Sequence, residues 1–547
     1  MRNSGSSVPA GIGLALAFSS QAVIPYTINP ESLGMVIVPI VFLFGIGLWL
    51  LLDPPSDVRL NPVALAPLLL LPALFLNIRS DWPVILGLLL SFWICLIAGM
   101  SLKRTRMRQF SLVLGGCLAA ISLVGMLHWA FGGATGWTIL GLGLTMDHQG
   151  RLIGPFPNPN ILADVCAAAW LLLWLTGSRS DSGSDKTTVV LAIVLGSAIV
   201  ATASRGGLLV WLLAILLAQW ISPRSIRQIL PPILASLLIG IALQSLFATD
   251  TSQYAERLVQ TYHEGLGERL DIWASAFCMW LDHPWLGVGF GRFGSHFLDA
   301  QAMAHRLWPD LTPGLGTTTS AHNILLQLMA EAGVPGLILW IGITALLLRT
   351  ILRDRDAWHA IPMAAAAILW AGGLIHITLI EPYPLLLFAL FLGAGSGWMP
   401  SRRGIRPALL ATASLAMALL MIPSGLRATE AWAALPAWMN AKQVEQKREL
   451  ANILLGWPQT APYFVSLSAS MHLDRPDLLS RSLRELDRAW AILQTPELLK
   501  ARILAYEAGG RMDEACALRE RLMHQGWAEN RITPLRKTDA SCMQSRH

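Results

Sequence analysis

Arg205 stands in the sequence ATASRGG, between two apolar runs that are joined by almost no loop. A charge inside a membrane is costly, so an arginine held at the end of such a run calls for a specific explanation. A planar guanidinium binds phosphate oxygens better than an ammonium group does, and the glycines that follow permit close approach. We predict that Arg205 binds phosphate; an arginine that only reaches toward lipid headgroups is the alternative.

His322 lies in TTTSAHNILLQLMAEAGVPG, where Ser320 is the predicted N-cap of a helix that leads into a span. His322 and Asn323 would then occupy the first helical turn. The free N–H groups there attract phosphate and disfavour an imidazolium ion. We predict His322 to be a neutral base and Asn323 to line a substrate cleft, with a capping or interfacial histidine as the alternative. Glu331 is predicted to support the break at Gly333-Val334-Pro335-Gly336, with a catalytic role as the alternative.

Arg269 and Trp273 are four residues apart, on one face of a helix predicted to end at Asp282-His283-Pro284. A surface salt bridge of Arg269 with Glu268 or Asp271 is the simplest alternative to a functional role. The glycines that follow have dinucleotide-fingerprint spacing, but no βαβ pattern surrounds them. We interpret Gly289, Gly291 and Gly294 as a tight re-entrant turn.

Weaker candidates occupy other predicted external turns. Arg151 and the turn GPFPNPN, which ends at Asn160, precede a span, and Asp164 follows one helical turn inside. Arg151 and Asn160 either line a substrate cleft or only terminate the helix. His376 and Glu381 flank another short external turn.

No metal or cofactor is expected. The six cysteines are scattered, without CxxC or Cys/His zinc spacing. Asp354 and Asp356 have the spacing of a DxD metal motif, but they lie among arginines and are predicted to be solvated loop charges. A Cys516–Cys542 disulfide would suit an oxidising compartment.

The elements that must position these residues are membrane spans. Of the 547 residues 54% are hydrophobic and only 14% are charged, which favours a bilayer as solvent. About thirteen apolar runs near the required length of about 20 residues recur between Val8 and Met421. The net charge of +6 does not indicate nucleic-acid binding, because Lys and Arg fall in short loops between spans.

The basic loops also predict the orientation. The loop with Lys103, Arg104, Arg106 and Arg108 is the strongest cytoplasmic marker, and the other basic loops alternate with it. The chain therefore divides into N-terminal spans (1–247), a large periplasmic loop (248–321), C-terminal spans (322–423) and a soluble helical periplasmic domain (424–547). Residues 498–522 have the pattern of one tetratricopeptide-type hairpin, with a small helical domain of no particular type as the alternative.

Three motifs in order resemble the O-antigen ligase-like superfamily of membrane glycan transferases. They are SRGG, then R-x-x-x-W followed by HPWLGVGFGRF, then AHNILLQLMAEAGVPG. The resemblance implies an all-α, polytopic fold with a large periplasmic loop. It assigns pyrophosphate binding to Arg205 and Arg269 and the catalytic role to His322.

The resemblance further implies a reaction at the periplasmic face of a bacterial inner membrane. The donor would be a glycan on undecaprenyl pyrophosphate, and the preferred acceptor is lipid A-core, as in O-antigen ligation. An O-antigen or exopolysaccharide polymerase and a protein O-oligosaccharyltransferase are alternatives within the superfamily. Outside it, a lipid-linked glycan transporter is disfavoured, because a carrier should place ionisable residues near mid-membrane in several spans.

Overall fold

The structure is a computed structural model of the chain. It describes residues 7–23, 30–55, 58–75, 82–132, 151–178, 186–223, 226–247, 251–311, 318–400, 403–441, 446, 449–450, 476–492 and 494–524. Contacts between residues divide the chain into two compact units. The first contains Met1–Leu69, Pro83–Leu258 and Ile338–Gly425, and the second contains Leu70–Trp82, Val259–Leu337 and Leu426–His547.

The described residues are helical apart from turns and one pair of three-residue strands. The α-helices in chain order are α1 Ser7–Phe18, α2 Pro30–Leu52, α3 Leu71–Phe75, α4 Trp82–Met100, α5 Arg104–Gly132, α6 Pro159–Ser178, α7 Lys186–Ala201, α8 Arg205–Ile221, α9 Ile226–Phe247, α10 Thr251–Asp282, α11 Phe293–Leu307, α12 Ile324–Arg353, α13 Ala360–Ile375, α14 Pro382–Gly395, α15 Pro407–Asn440, α16 Pro476–Ile492, α17 Pro496–Ala508 and α18 Met512–His524. Short 3-10 helices cover Ser20–Val23, Pro62–Leu70 and Thr378–Ile380.

Five helices of the described chain are long and apolar enough to cross a membrane: Arg104–Leu127, Pro159–Gly177, Arg227–Leu246, Ile324–Arg353 and Pro407–Glu430. Shorter apolar helices include Val84–Met100, Lys186–Ala201 and Ala360–Ile375. These helices are those of a polytopic helical membrane protein. The total of about thirteen spans stays a prediction.

Helix α6 lies at the centre of the first unit. It packs against α5, α7, α8 and α13, and its described residues are buried along almost its whole length. Trp170 and Trp174 stack on each other at 5.4 Å between ring centroids inside this helix. Asn160 and Asp164 therefore lie on a helix that four others enclose.

Several predicted cytoplasmic loops lie at one end of the first unit. The strand Val58–Leu60 pairs with Arg403–Ile405 in antiparallel register, with Arg59 opposite Gly404. An ion pair of 2.6 Å joins Arg106 to Asp53. These contacts bring three of the predicted cytoplasmic loops together. Which side of the membrane this end faces stays a prediction.

The second unit contains the external loop and the C-terminal helices. Within it α17 and α18 form a helical hairpin that turns at Gly509 and Gly510, as predicted for residues 498–522. Leucine and alanine side chains of α16, α17 and α18 share one apolar core. A tetratricopeptide array stays a prediction.

Candidate functional site

Arg205 is the first residue of α8. The preceding Ser204 caps this helix, because its Oγ accepts a hydrogen bond from the Gly207 N–H at 2.9 Å. The Arg205 side chain is exposed, and no hydrogen bond or ion pair of its guanidinium is found among the described residues. It therefore stands open at the positive end of a helix, as a phosphate ligand requires. Phosphate binding by Arg205 stays a prediction.

Two of the predicted cleft residues lie beside this helix start. The Ser204 hydroxyl donates to Asn160 Oδ1 at 2.6 Å. The half-buried Arg151 is adjacent to Leu152, whose N–H donates to the Ala201 carbonyl at 3.3 Å. The first unit thus brings Arg151, Asn160 and Arg205 to one end of its helices.

A buried polar network lies behind the same helix start. The Asp164 carboxylate is fully buried and accepts hydrogen bonds from His376 Nδ1 at 3.0 Å and from the Thr378 hydroxyl at 2.5 Å. His376 is only 3% exposed. No partner is found for the second Asp164 oxygen among the described residues. The sequence pointed to Asp164 and His376 separately, and the structure shows that they are partners.

The His376 ring packs directly on the first turn of α8. A Cβ added to Gly206 would lie 2.2 Å from His376 Nε2, and one added to Gly207 would lie 2.4 Å from the Ala163 Cβ. The two glycines of SRGG are therefore needed for this close approach. Because Asp164 holds Nδ1, the ring has a fixed orientation beside Arg205.

Arg269 lies on α10 in the second unit. The helix ends at Asp282, so the predicted end at Asp282-His283-Pro284 is confirmed. Arg269 is half-buried. The nearby Asp271 is fully buried and accepts hydrogen bonds from Gln301 at 2.6 Å and His305 Nε2 at 2.8 Å. These contacts fix α11 against the helix that carries Arg269.

Gly289 and Gly291 lie in a tight turn as predicted, whereas Gly294, which was predicted to belong to it, lies in helix α11. Gly287, Gly289 and Gly291 have φ angles of 68°, 97° and 72°, in the region that favours glycine. The Val288 and Gly289 N–H groups donate to the carbonyls of Ala330 and Glu331 at 2.8 and 3.0 Å. These backbone contacts hold the turn against α12.

Helix α12 has the predicted break. Gly333 is not helical, with φ 59° and ψ −138°. The Val334 N–H leaves the helical pattern and donates to the Pro284 carbonyl at 2.9 Å. A Cβ on Gly333 would lie 2.6 Å from that carbonyl oxygen, so only glycine fits.

The predicted helix start at His322 is wrong. Asn323, not Ser320, caps α12: its Oδ1 accepts from the N–H groups of Leu325 at 2.9 Å and Leu326 at 3.2 Å. The helix begins at Ile324, so His322 and Asn323 precede its first turn. Ser320 instead forms a local turn with the Thr318 hydroxyl. The half-buried His322 has φ 50°, a left-handed conformation that is rare outside glycine and clusters at functional sites.

Arg269 and His322 belong to parts of the second unit that share one apolar core. Ile272 of α10, Phe293 of α11 and both Ala321 and Ala330 near the start of α12 are members of this core. Arg205 belongs to the first unit and Arg269 with His322 to the second. The three roles assigned to these residues stay predictions.

The C-terminal tail contacts the glycine-rich segment through Gln494. Its backbone N–H donates to the Gly294 carbonyl at 3.0 Å, and its side chain donates to Asp299 at 3.1 Å. Gly294 directly follows Phe293, the first residue of α11. The tail is therefore attached close to the candidate site within the same unit.

One residue that joins the site together was not predicted from the sequence. Gln327 Oε1 accepts from the Ala321 N–H at 2.7 Å, and the Gln327 side chain also bonds Glu331. A signal was present in the sequence, because Gln327 and Glu331 are four apart in an otherwise apolar helix and so share one face. By contrast, the 212 residues between Asp164 and His376 left no local signal of their contact.

The cysteines make none of the hydrogen bonds described above. Burial, and next the charge of Asp282, raises the pKa of the Cys278 thiol to about 11. Cys516 is disulfide-bonded, and its predicted partner Cys542 lies outside the described residues. Within the described part of the chain, no group of three or more His, Cys, Asp or Glu side chains is arranged to hold a metal ion.

Comparisons with known proteins bear on the three motifs. The family profile described as O-Antigen ligase matches residues 190–341. "Exopolysaccharide production protein ExoQ" of Rhizobium meliloti is 29% identical over 125 residues, which cover 22% of this chain and 28% of that protein. An "O-antigen ligase" of Pseudomonas aeruginosa is 27% identical over 274 residues, 48% of this chain and 60% of that protein. The chain thus matches less than two thirds of either relative's length, and the resemblance to the O-antigen ligase-like superfamily is confirmed.

Proposed function

We propose that this member of the O-antigen ligase-like superfamily transfers a glycan from undecaprenyl pyrophosphate to an acceptor hydroxyl at the periplasmic face of a bacterial inner membrane. The preferred acceptor is lipid A-core, which makes the reaction an O-antigen ligation. One observation carries the proposal: the matched residues 190–341 include Arg205, Arg269 and His322.

In the proposed reaction the acceptor oxygen forms a bond to the anomeric carbon of the donor glycan. The bond between that carbon and the pyrophosphate oxygen breaks, and the hydroxyl proton passes to His322. The products are the glycosylated acceptor and undecaprenyl pyrophosphate. The half-buried position of His322, next to the start of α12, supports a base that is neutral before the reaction.

Arg205 and Arg269 are proposed to bind the pyrophosphate and to stabilise the negative charge that develops on it as it leaves. The exposed guanidinium at the start of α8 supports this role for Arg205. Since arginines supply the positive charge, we propose that no metal or cofactor takes part. Transfer should then continue in an excess of chelator.

Two relatives support different acceptors. The match to the Pseudomonas aeruginosa O-antigen ligase covers more of this chain than the match to ExoQ does, which favours ligation. The ExoQ match supports the second candidate, an O-antigen or exopolysaccharide polymerase whose acceptor is another glycan. The product distinguishes them: a ligase adds one glycan to lipid A-core, whereas a polymerase gives a ladder of lengths on the lipid carrier.

His322→Ala tests the proposed base. Transfer by the purified protein from lipid-linked donor should fall by about 10²–10⁴-fold, because a general base typically contributes that much. Donor binding should persist, since the base acts on the acceptor. His359→Ala is the matched control, because His359 lies in the loop between α12 and α13, whose arginines mark it as cytoplasmic. An active His322→Ala protein would refute the mechanism.

Arg205→Lys and Arg269→Lys test the proposed pyrophosphate ligands. Each should weaken donor binding and slow transfer, because a point charge does not reproduce a bidentate fork on phosphate. Arg355→Lys is the control, since Arg355 stacks on Trp220 in a predicted cytoplasmic loop. Normal transfer by Arg205→Lys protein that accumulates normally would favour lipid-headgroup contact as the role of Arg205.

A further inference from the structure

Glu331 is a buried carboxylate that joins two segments of the second unit. It is 5% exposed and lies in α12 two residues before the break at Gly333. Its Oε1 accepts a hydrogen bond from the Phe293 N–H at 3.2 Å, and the Gly291 N–H and the Gln327 side chain are further donors. The carboxylate thus links the end of the glycine-rich turn to α12.

Gln327 extends this link to the residue before His322. Its Oε1 accepts from the Ala321 N–H at 2.7 Å, so its amide NH₂ is the group that donates to Glu331. We call the two side chains the Gln327–Glu331 bridge. The bridge runs from Ala321 through the first two turns of α12 to Phe293.

The bridge fixes the backbone next to His322. The residue on one side, Ala321, is held by Gln327, and the residue on the other side, Asn323, is held by its capping bonds to Leu325 and Leu326. His322 lies between them with φ 50°. A non-glycine residue in this region is maintained only when its surroundings fix it.

A role in folding alone does not account for the side chain of Glu331. The glycine-rich turn is already bonded to α12 by backbone groups, through Val288 to Ala330 and Gly289 to the Glu331 carbonyl. What only the two side chains add is the contact with Gly291 and Phe293 and, through Gln327, with Ala321. Through Gln327, this added contact reaches Ala321, the residue next to His322.

We propose that Gln327 and Glu331 are positioning residues for His322, and that they hold its imidazole where it accepts the proton of the acceptor hydroxyl. This inference rests on the proposed base role of His322. It predicts that the bridge affects the rate of the chemical step and leaves the affinity for the donor nearly unchanged.

The direction of the hydrogen bonds gives a sharp test. In Glu331→Gln protein, two amide NH₂ groups face each other; in Gln327→Glu protein, two carboxylates face each other. The double variant Gln327→Glu/Glu331→Gln restores the bond between the two side chains with its direction reversed and keeps acceptors for the Ala321 and Phe293 N–H groups. The new carboxylate at position 327 would accept from the Ala321 N–H and from the new amide at position 331, whose oxygen would accept from the Phe293 N–H.

The experiment measures kcat and the donor KM for the wild type, both single variants and the double variant, each purified at full length. Each single variant should lower kcat by about 10–100-fold and leave the donor KM within about twofold, because misplacement of a catalytic group by about 1 Å has an effect of this size. The double variant should recover kcat to within about fivefold of the wild type.

Two results would overturn the inference: a normal kcat in Glu331→Gln protein, or a double variant no faster than the slower single variant. If the single variants do not accumulate, Gln327→Ala decides, because it removes the link to Ala321 and the donor to Glu331 but keeps Glu331 on Phe293. It should lower kcat about tenfold, and an unchanged kcat overturns the inference. His322→Ala run alongside separates the two hypotheses, since its activity would refute the base itself.

Discussion

The candidate residues of the two units are held in place by different means. In the first unit, Arg205 starts a helix whose first turn packs so closely on His376 that only glycine fits at position 206. Behind it, Asp164 and His376 pair inside apolar helices, fully shielded from solvent. The position of Arg205 thus depends on helix packing and on the buried hydrogen bond between Asp164 and His376.

In the second unit, His322 lies in a loop whose adjacent residues are hydrogen-bonded to the first turns of α12. Its neighbours are fixed by Gln327 and by the Asn323 cap, and its own backbone is in a strained conformation. Packed helices have few alternative arrangements, whereas a loop held by single bonds has more. Changes in the first unit should therefore mainly affect stability, and changes around His322 should mainly affect rate.

The largest expected effect on stability is that of Asp164→Ala. His376 and Thr378 would both lose their buried acceptor, and each unsatisfied group costs about 1–3 kcal/mol, so the free energy of unfolding should fall by about 2–6 kcal/mol. Detergent-solubilised protein titrated with SDS gives this value. Asp164→Asn is the control, because both bonds meet at one carboxylate oxygen and the amide oxygen in its place still accepts them. Equal unfolding midpoints for Asp164→Ala and wild type would show that the pair contributes nothing.

The next effect is that of Gly206→Ala. The new methyl group would meet His376 Nε2 at 2.2 Å, so the ring must move away from α8. Overpacking of this kind costs about 1–3 kcal/mol, and it should also displace Arg205 and weaken donor binding. Gly116→Ala in α5 is the matched control, because nothing lies within 4 Å of an added Cβ there. If both variants bind donor equally, close packing does not position Arg205.

The two helix caps allow the two units to be compared with matched changes. Ser204→Ala and Asn323→Ala each remove a capping side chain and should each cost about 0.5–2 kcal/mol. Their effects on rate should differ, because Asn323 adjoins His322. We expect kcat to fall more for Asn323→Ala, while Ser204→Ala raises the donor KM. Ser204→Thr and Asn323→Asp keep the caps and serve as controls; the same change in kcat and KM for both alanine variants would contradict the comparison.

The sequence predicted features that depend on neighbouring residues better than features that depend on tertiary contacts. The helix that ends at Asp282, the break at Gly333 and the glycine turn were predictable, because each depends on neighbouring residues. The cap of α12 was misassigned because Ser320 and Asn323 are both good N-caps, and tertiary contacts of Ala321 decide between them.

Contacts between distant segments left weaker signals. Asp164 stood out as an acid inside an apolar run, yet nothing near it in sequence indicated His376 as its partner. The attachment of Gln494 to Gly294 likewise depends on how the tail packs. Such pairs are set by three-dimensional packing, which periodicity and local spacing do not encode.

The smallest expected effect concerns Cys278, which reports whether the core beside Arg269 is closed. Its thiol is fully buried, and burial raises its pKa to about 11. A raised thiol pKa disfavours the thiolate, so at pH 8 only about one molecule in 10³ carries the reactive form. Iodoacetamide at pH 8 should therefore leave Cys278 almost unmodified in folded protein, as judged by peptide mass spectrometry. The same residue should react readily after denaturation, where burial no longer suppresses the thiolate. Rapid modification in the folded state would show that the inner face of α10 is open to solvent, and the core shared by Arg269 and His322 would then be looser than the hydrogen bonds of Asp271 imply.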